Sequence, residues 1–241
     1  MRYYLIKRTK RVLYWSLMAA FTSSISLNRR NAVFVFMLLA AFRPNIELLS
    51  APFALPRSLT LENFVTIFTK SHILTYIKNS AIISFFSLSF IVLFSSMAAF
   101  AIAKMKFQGN RALYRYFLIG LTIPYSVTLI PLFTMFAKIG LIDTRISVIL
   151  PLLAFQLPVS IMLFVNFYRF IPDEIIEAAV IDGCGIFGIY GRIMIPLSLN
   201  TILTVLAMNF ITVWNDYTFS LVFINSAELK KYKKHSEIIE A

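Results

Sequence analysis

Between Lys78 and Lys104 the chain runs for 25 residues, Asn79 to Ala103, without a charged side chain. As a helix this run measures about 37 Å, longer than the ~30 Å hydrocarbon core of a bilayer. No other feature limits the fold as strongly. A segment of this kind is buried in lipid, and lipid admits only helices or closed barrels because every backbone polar group must be paired internally. Composition extends the constraint to the whole chain. Hydrophobic residues make up 59% and charged residues 14%, whereas a soluble domain carries nearer a quarter charged. The expectation is an integral membrane protein, all-α, a polytopic transmembrane helical bundle.

The net charge of +12 would suit nucleic acid. Its carriers, however, sit in short segments beside apolar runs, where they orient spans in a membrane. Membrane lipid is therefore the expected surrounding, and no nucleic acid is expected as a partner. The single cysteine, Cys184, excludes an intrachain disulfide.

After the first clean span, Lys104, Lys106, Arg111 and Arg115 form a short basic loop that the positive-inside tendency places in the cytoplasm. Further spans are expected at Tyr116 to Ala137, with Pro124 and Pro131, and at Ile146 to Tyr168, with Pro151 and Pro158. Each proline removes a helix hydrogen bond and introduces a kink. Such kinks suit a transport pathway and suit bent packing equally. Lys138 to Arg145 is nearly charge-balanced and is expected outside. A last span begins after Pro196 and runs to near Asp216. Serines 84, 87, 89, 95 and 96 of the charge-free run, with Ala98, Ala99 and Ala101, are expected on helix contacts. Thr60 is placed to cap a short amphipathic helix with Leu61, Phe64, Val65, Ile67 and Phe68.

The segment Arg169 to Arg192 returns to the cytoplasmic side and is the most informative of all. Pro172, Asp173 and Glu174 start a helix, with two carboxylates at the positive end of its dipole. Gly183 stops it, since glycine accepts the left-handed conformation of a C-terminal cap. Ile175, Ile176, Ala178, Ala179, Asp182 and Gly183 fall on one broad side, small enough for another protein to approach the backbone. Within it, Glu177-Ala178-Ala179, three residues, Gly183, nine residues, Ile193, one residue and Ile195-Pro196 form a spaced pattern. That pattern resembles the EAA signature of membrane subunits in binding-protein-dependent ABC importers, with Ile195 where leucine is usual. Phe42-Arg-Pro-Asn45, Ser58-Leu-Thr-Leu-Glu-Asn-Phe64 and Trp214-Asn-Asp-Tyr217 add a likeness to carbohydrate permeases on the maltose-type G subunit side, from about Phe42 to Lys230.

The resemblance implies a type I permease fold and a coupling helix that docks on a cytoplasmic ATPase. Glu177, Ala178, Ala179, Asp182, Gly183 and Pro196 are then the coupling residues. Glu177 would bond at the docking cleft, Ala178, Ala179 and Gly183 would permit close contact, and Pro196 would relay the movement. Trp214, Asn215 and Asp216 are candidate outer-mouth contacts, Asp216 alternatively an interfacial residue or helix cap. The implied partners are ABC ATPase subunits, a second permease subunit in a heterodimer and an extracytoplasmic solute-binding protein. The implied solutes are sugars or oligosaccharides. The expected organisation is a basic N-terminal segment and atypical first span (1–42), an outer loop (43–78), a permease core (79–227) with its coupling loop (171–196), and a basic tail (228–241).

Both ends depart from the family pattern. Arg2, Lys7, Arg8, Lys10 and Arg11 precede Val12 to Leu27, which fits a retained signal-anchor with its N-terminus in the cytoplasm better than a cleaved signal peptide. That run gives only about 24 Å of helix, and Asn28-Arg-Arg-Asn31 interrupts it. After Ala227 a lysine-rich tail stands where the family has a sixth span, so about five spans of six are expected. The alternative at this stage is a truncated or frameshifted, non-transporting remnant of such a permease.

No catalytic residue, cofactor or metal is expected. Gly183, Gly185, Gly188 and Gly191 lack the Lys-Ser/Thr of a phosphate loop, so ATP hydrolysis falls to a separate ATPase subunit. His72 and His235 have no companion at ligand spacing. The spans lack the paired ionisable residues of a membrane-embedded enzyme.

Overall fold

The computed structural model describes residues 33–51, 58–70, 72–226 and 229. Among them every regular element is helical. They fall into two compact units, divided between His72 and Ile73.

The first unit holds α1 (33–41), α2 (Asn45–Ser50) and α3 (Glu62–Lys70). Arg43 is its anchor. The side chain is 1% exposed, and its Nη2 donates to the carbonyls of Glu47 (3.2 Å) and Ala51 (2.9 Å) and meets the Glu47 carboxylate at 3.4 Å. Asn63 Nδ2 donates to the carbonyls of Ala41 (3.1 Å) and Arg43 (2.8 Å), and Phe42 packs on Phe64 with ring centroids 5.1 Å apart. The two polar motifs that looked family-like are thus the two halves of one hydrogen-bonded joint. Thr60 caps α3 as its sequence suggested, its Oγ1 accepting from the Glu62 N–H at 3.1 Å.

The second unit is built on α4 (Ile73–Lys104) and α7 (Arg145–Phe170), parallel to each other and packed along most of their length. Among the described residues these are the two helices long and apolar enough to cross a membrane alone. Helix α4 begins at Ile73, so the charge-free run is only its interior. Tyr76, Asn79, Ser80, Ile83, Ser84, Ser87, Ile91, Ser95, Ser96, Ala99 and Ile102 form its buried stripe, recurring at three- and four-residue intervals. Small hydroxyl residues let the backbones approach closely, which drives helix association where lipid removes the hydrophobic incentive. Ser89 lies on the other, exposed side. That side carries Phe86, Phe90 and Phe94, a ladder with centroid spacings of 6.2 and 6.0 Å suited to acyl chains.

Of the two remaining expected spans of the second unit, one differs from the sequence expectation. The stretch expected as one kinked helix from Tyr116 to Ala137 is α5 (Asn110–Ile119), a 3₁₀ turn (Gly120–Thr122) and α6 (Tyr125–Lys138), bent by 98°. Pro124, at the start of α6, lacks the N–H that would continue the first helix. Gly120 sits against Pro158 of α7 so closely that a Cβ there would lie 2.9 Å from the proline ring. Pro151 and Pro158 leave α7 a single helix and are both buried in its contacts. The final expected span, from after Pro196 to near Asp216, is α11 (Leu199–Trp214), which meets the preceding piece Ile186–Leu197 at a bend of 73°. Each bent pair counted as one span gives up to four crossings in this unit. The expected first span and the lysine-rich tail lie mostly outside the described residues.

Polar contacts cross the bundle at three levels. Arg145 Nη2 donates to Asn79 Oδ1 (3.1 Å) at one end. Asn209 Nδ2 donates to Ser160 Oγ (3.0 Å) within the core. At the other end Lys104 Nζ donates to the Ile171 carbonyl and to Asp173, each at 2.5 Å. This register puts the basic loop after α4 and the segment after α7 at the same end of the bundle.

Candidate functional site

The segment after α7 opens with α8 (Asp173–Ile181), then passes through α9 (Ile186–Ile189), a π-helical turn (Tyr190–Met194) and α10 (Ile195–Leu197). Pro172 occupies the N-terminal cap of α8, and Asp173 and Glu174 fill its first turn. At the other end the Cys184 N–H donates to the Ala179 carbonyl (2.9 Å) and the Gly183 N–H to the Val180 carbonyl (3.0 Å). These two bonds, with Gly183 at φ +79°, are a Schellman cap. Cys184 follows the cap and packs on the core beside Ala179, a small packing residue.

The helix has one inward face. Ala179 is buried and Ile176 packs on the core, whereas Glu174, Ile175, Glu177, Ala178, Val180, Ile181, Asp182 and Gly183 face outward. The broad side drawn from the sequence is therefore divided. Ala178 belongs to the outward surface and Ala179 holds the helix to its own chain, because neighbours in a helix lie 100° apart and only one can point at the core. The outward face is mixed. Ile181 is 86% exposed, Phe187 78% and Val180 58%, among the carboxylates of Asp173, Glu174, Glu177 and Asp182. A surface with four carboxylates does not sit in hydrocarbon.

Two ties connect this elbow to α4. One is Lys104 to Asp173. The hydrogen bond from the ammonium, then its charge and that of Lys106, hold the Asp173 carboxyl below the ordinary carboxylate value. The other is Tyr190 in the π-helical turn, whose hydroxyl lies 2.7 Å from Ser96 Oγ and whose ring packs 5.6 Å from Phe100. Arg169 stacks over the Tyr114 ring at 5.2 Å, linking α7 to α5. Nothing local in the sequence announces these pairs. Lys104 reads only as a span boundary and Tyr190 as filler within the signature. Pro196 lies exposed in α10, two residues before the bend, where buried Ser198 turns its Oγ to the Ile195 carbonyl (3.0 Å).

At the opposite end, Trp214 closes α11 and stacks on Phe210 (5.5 Å), with Asn215 exposed as its C-terminal cap. The Asp216 carboxylate accepts from the N–H groups of Phe219 and Ser220 (3.2 Å each) and from Ser220 Oγ (2.9 Å). Asp216 thus caps α12 (Thr218–Phe223). A second carboxylate, missed in the sequence, closes the same end. Asp143, at φ 61°, donates its N–H to the Phe223 carbonyl (2.8 Å) and accepts at Oδ1 from the N–H of Asn225 (3.0 Å) and Ser226 (2.9 Å) and from Ser226 Oγ (3.0 Å). Among the described residues no group of three or more His, Cys, Asp and Glu could hold a metal ion.

The second unit is thus a helical membrane bundle that returns one capped, acidic elbow to the basic end of α4. The chain belongs to the binding-protein-dependent transport system inner membrane components, whose family profile matches residues 91–237. That match passes Lys230, where the sequence had suggested the likeness ends. A protein of Caldicellulosiruptor sp. (strain Rt8B.4) described as an ABC transporter permease protein, ORF2, is 42% identical over 194 residues, 80% of this chain and 70% of the relative. The arabinooligosaccharides transport system permease protein AraQ of Halalkalibacterium halodurans is 33% identical, over 92% of this chain and 80% of its own. Among solved structures, a bacterial ABC transporter involved in import of the acidic polysaccharide alginate superposes with a TM-score of 0.79 at 20% identity, covering 89% of this chain and 76% of that one. The fold is the type I importer permease fold, and the chain is a transport component of the inner membrane.

Proposed function

We propose that this chain is one of two permease subunits in a heterodimer, that separate ABC ATPase subunits drive it through α8, and that an extracytoplasmic binding protein delivers its solute. The observation that carries the proposal is the outward face of α8 together with its two ties to α4. Closure of an ATPase dimer would press on Glu177, Ala178 and Gly183 while Ala179 stays fixed to the bundle. Movement of the elbow would pass to α4 through Asp173–Lys104 and Tyr190–Ser96, and to α11 through Pro196 and the bend at Ser198. The N-terminus and the elbow then face the cytoplasm, and Trp214, Asn215 and Asp216 lie at the outer mouth. The Asp216 hydrogen bonds favour a capping role for its carboxylate over solute contact.

The solute class is sugars or oligosaccharides. It rests on the arabinooligosaccharide transporter named above and on two further relatives named for diacetylchitobiose and for trehalose/maltose. Expression of the chain with a candidate second permease, ATPase and binding protein from the same organism, followed by uptake of labelled oligosaccharides, tests the assignment. ATP-dependent uptake that disappears without this chain is the expected result. Failure of the tagged chain to co-purify with an ATPase would overturn it.

A further inference from the structure

We propose that a basic cavity at the elbow end of α4 binds a phosphate ester group, presented there by the headgroup of an anionic phospholipid. The cavity is an open groove of about 890 Å³, lined by Lys104, Lys106, Arg111, Arg115, Arg169 and Asp173 and by the loop between α4 and α5. Its volume lies within the ~300–1,000 Å³ of ordinary ligand pockets. Five cations face one carboxylate, and that carboxylate is engaged by Lys104, whose side chain is only 4% exposed. Arg169 is held over Tyr114. Arg111 and Arg115 make no hydrogen bond or salt bridge among the described residues. Guanidinium groups with free donors are suited to phosphate oxygens, which they grip in pairs.

Two observations favour an anion from the membrane. The ten-residue helix α5 begins inside the cavity at Gly109 and Asn110, with no side chain capping its first amides and no acid in its first turn, so its positive end adds to the cations. The cavity also opens where the α4 span ends, and the exposed side chains of Met105 and Phe107 flank it. Apolar groups beside cations at a span terminus sit at headgroup depth, where basic pockets take up anionic headgroups. The inference goes beyond the coupling role and shares with it only the placing of this end at a membrane surface.

The test uses the full chain, purified in mild detergent, stripped of lipid and offered phosphatidylglycerol, phosphatidylcholine or water-soluble glycerol phosphate, with bound lipid read by native mass spectrometry. The expected result is retention of phosphatidylglycerol over phosphatidylcholine, weakened roughly thirtyfold in Arg111→Gln/Arg115→Gln. Lys78→Gln/Lys138→Gln, which removes the same charge outside the cavity, should leave retention unchanged. Displacement by glycerol phosphate at concentrations comparable with the lipid would keep the phosphate site and assign it to a soluble ester. Equal retention of both lipids, or equal loss in both double variants, overturns the proposal. So does a cavity variant that keeps its lipid but no longer co-purifies with the ATPase, since the cations would then serve a protein contact. Lipid retention is read without an ATPase, so its failure and failure of the coupling role are separate results.

Discussion

Gly183 lets two roles of one residue be separated by substitution. It has φ +79°, and a Cβ added there meets nothing within 4 Å among the described residues. Within the isolated subunit, Gly183→Ala should therefore cost only the left-handed strain, about 1–2 kcal/mol. Asparagine adopts that conformation far more readily, so Gly183→Asn should lose less than half as much while adding a larger side chain. If the cap were the whole function, asparagine would rescue what alanine damages. If an ATPase approaches the backbone at Gly183, asparagine will be worse than alanine in transport although better in stability. The assay pairs thermal denaturation of the purified chain with ATP-driven uptake in reconstituted vesicles. The expected outcome is a reversal, Asn above Ala in melting temperature and below it in uptake. Full uptake by Gly183→Asn would refute the close-approach role and leave Gly183 a local cap.

Further outcomes follow from four particular contacts. Gly120→Val should lower stability by roughly 1–3 kcal/mol, because its Cβ would fall 2.9 Å from the Pro158 ring and neither helix can yield freely; denaturation in mixed micelles reads this. Asn209→Ala and Ser160→Ala, combined in a double-mutant cycle, should show a coupling of about 0.6 kcal/mol, the average for interhelical hydrogen bonds in membranes. Asp216→Asn, which keeps an acceptor for the α12 amides, should leave uptake and apparent solute affinity near normal, whereas Asp216→Ala should cost about 1 kcal/mol of stability. Because the Asp173 carboxyl is held below its ordinary value of 3.8, its tie to Lys104 is fully present above that pH and is lost only as pH falls through the lowered value. Coupled uptake should thus not change through this tie between about pH 5 and pH 8. Lys104→Gln should reduce uptake severalfold while leaving the melting temperature nearly unchanged.

The parts of the fold legible in the sequence were those set by local chemistry. The charge-free run announced α4, Pro172 and Gly183 bracketed α8 within a residue or two, and Thr60 marked the start of α3. Prolines were legible as perturbations but not as outcomes. Pro124 stands at a 98° break, while Pro151 and Pro158 leave α7 unbroken, a difference that depends on what packs beside each ring. The division of Ala178 from Ala179 was hidden as well, because 100° of helix rotation assigns a face only once the core is placed. Long-range pairs were the least legible. Lys104 with Asp173, Ser96 with Tyr190 and Asp143 with Ser226 are separated by 69, 94 and 83 residues. No periodicity or cap rule links positions so far apart. The signature marked the segment proposed as the coupling site, but its mechanical connections to the bundle emerged only from the fold.

The central claim is that the outward face of α8 meets an ATPase on the cytoplasmic side. A Glu177→Cys chain in a Cys184→Ala background, co-expressed with the ATPase that supports its uptake activity, addresses this directly. An impermeant thiol reagent should fail to label Cys at 177 in intact cells and label it in inverted vesicles, and a short bifunctional crosslinker should join the chain to the ATPase. Labelling from outside, or labelling from inside with no crosslink to the ATPase, would contradict the account.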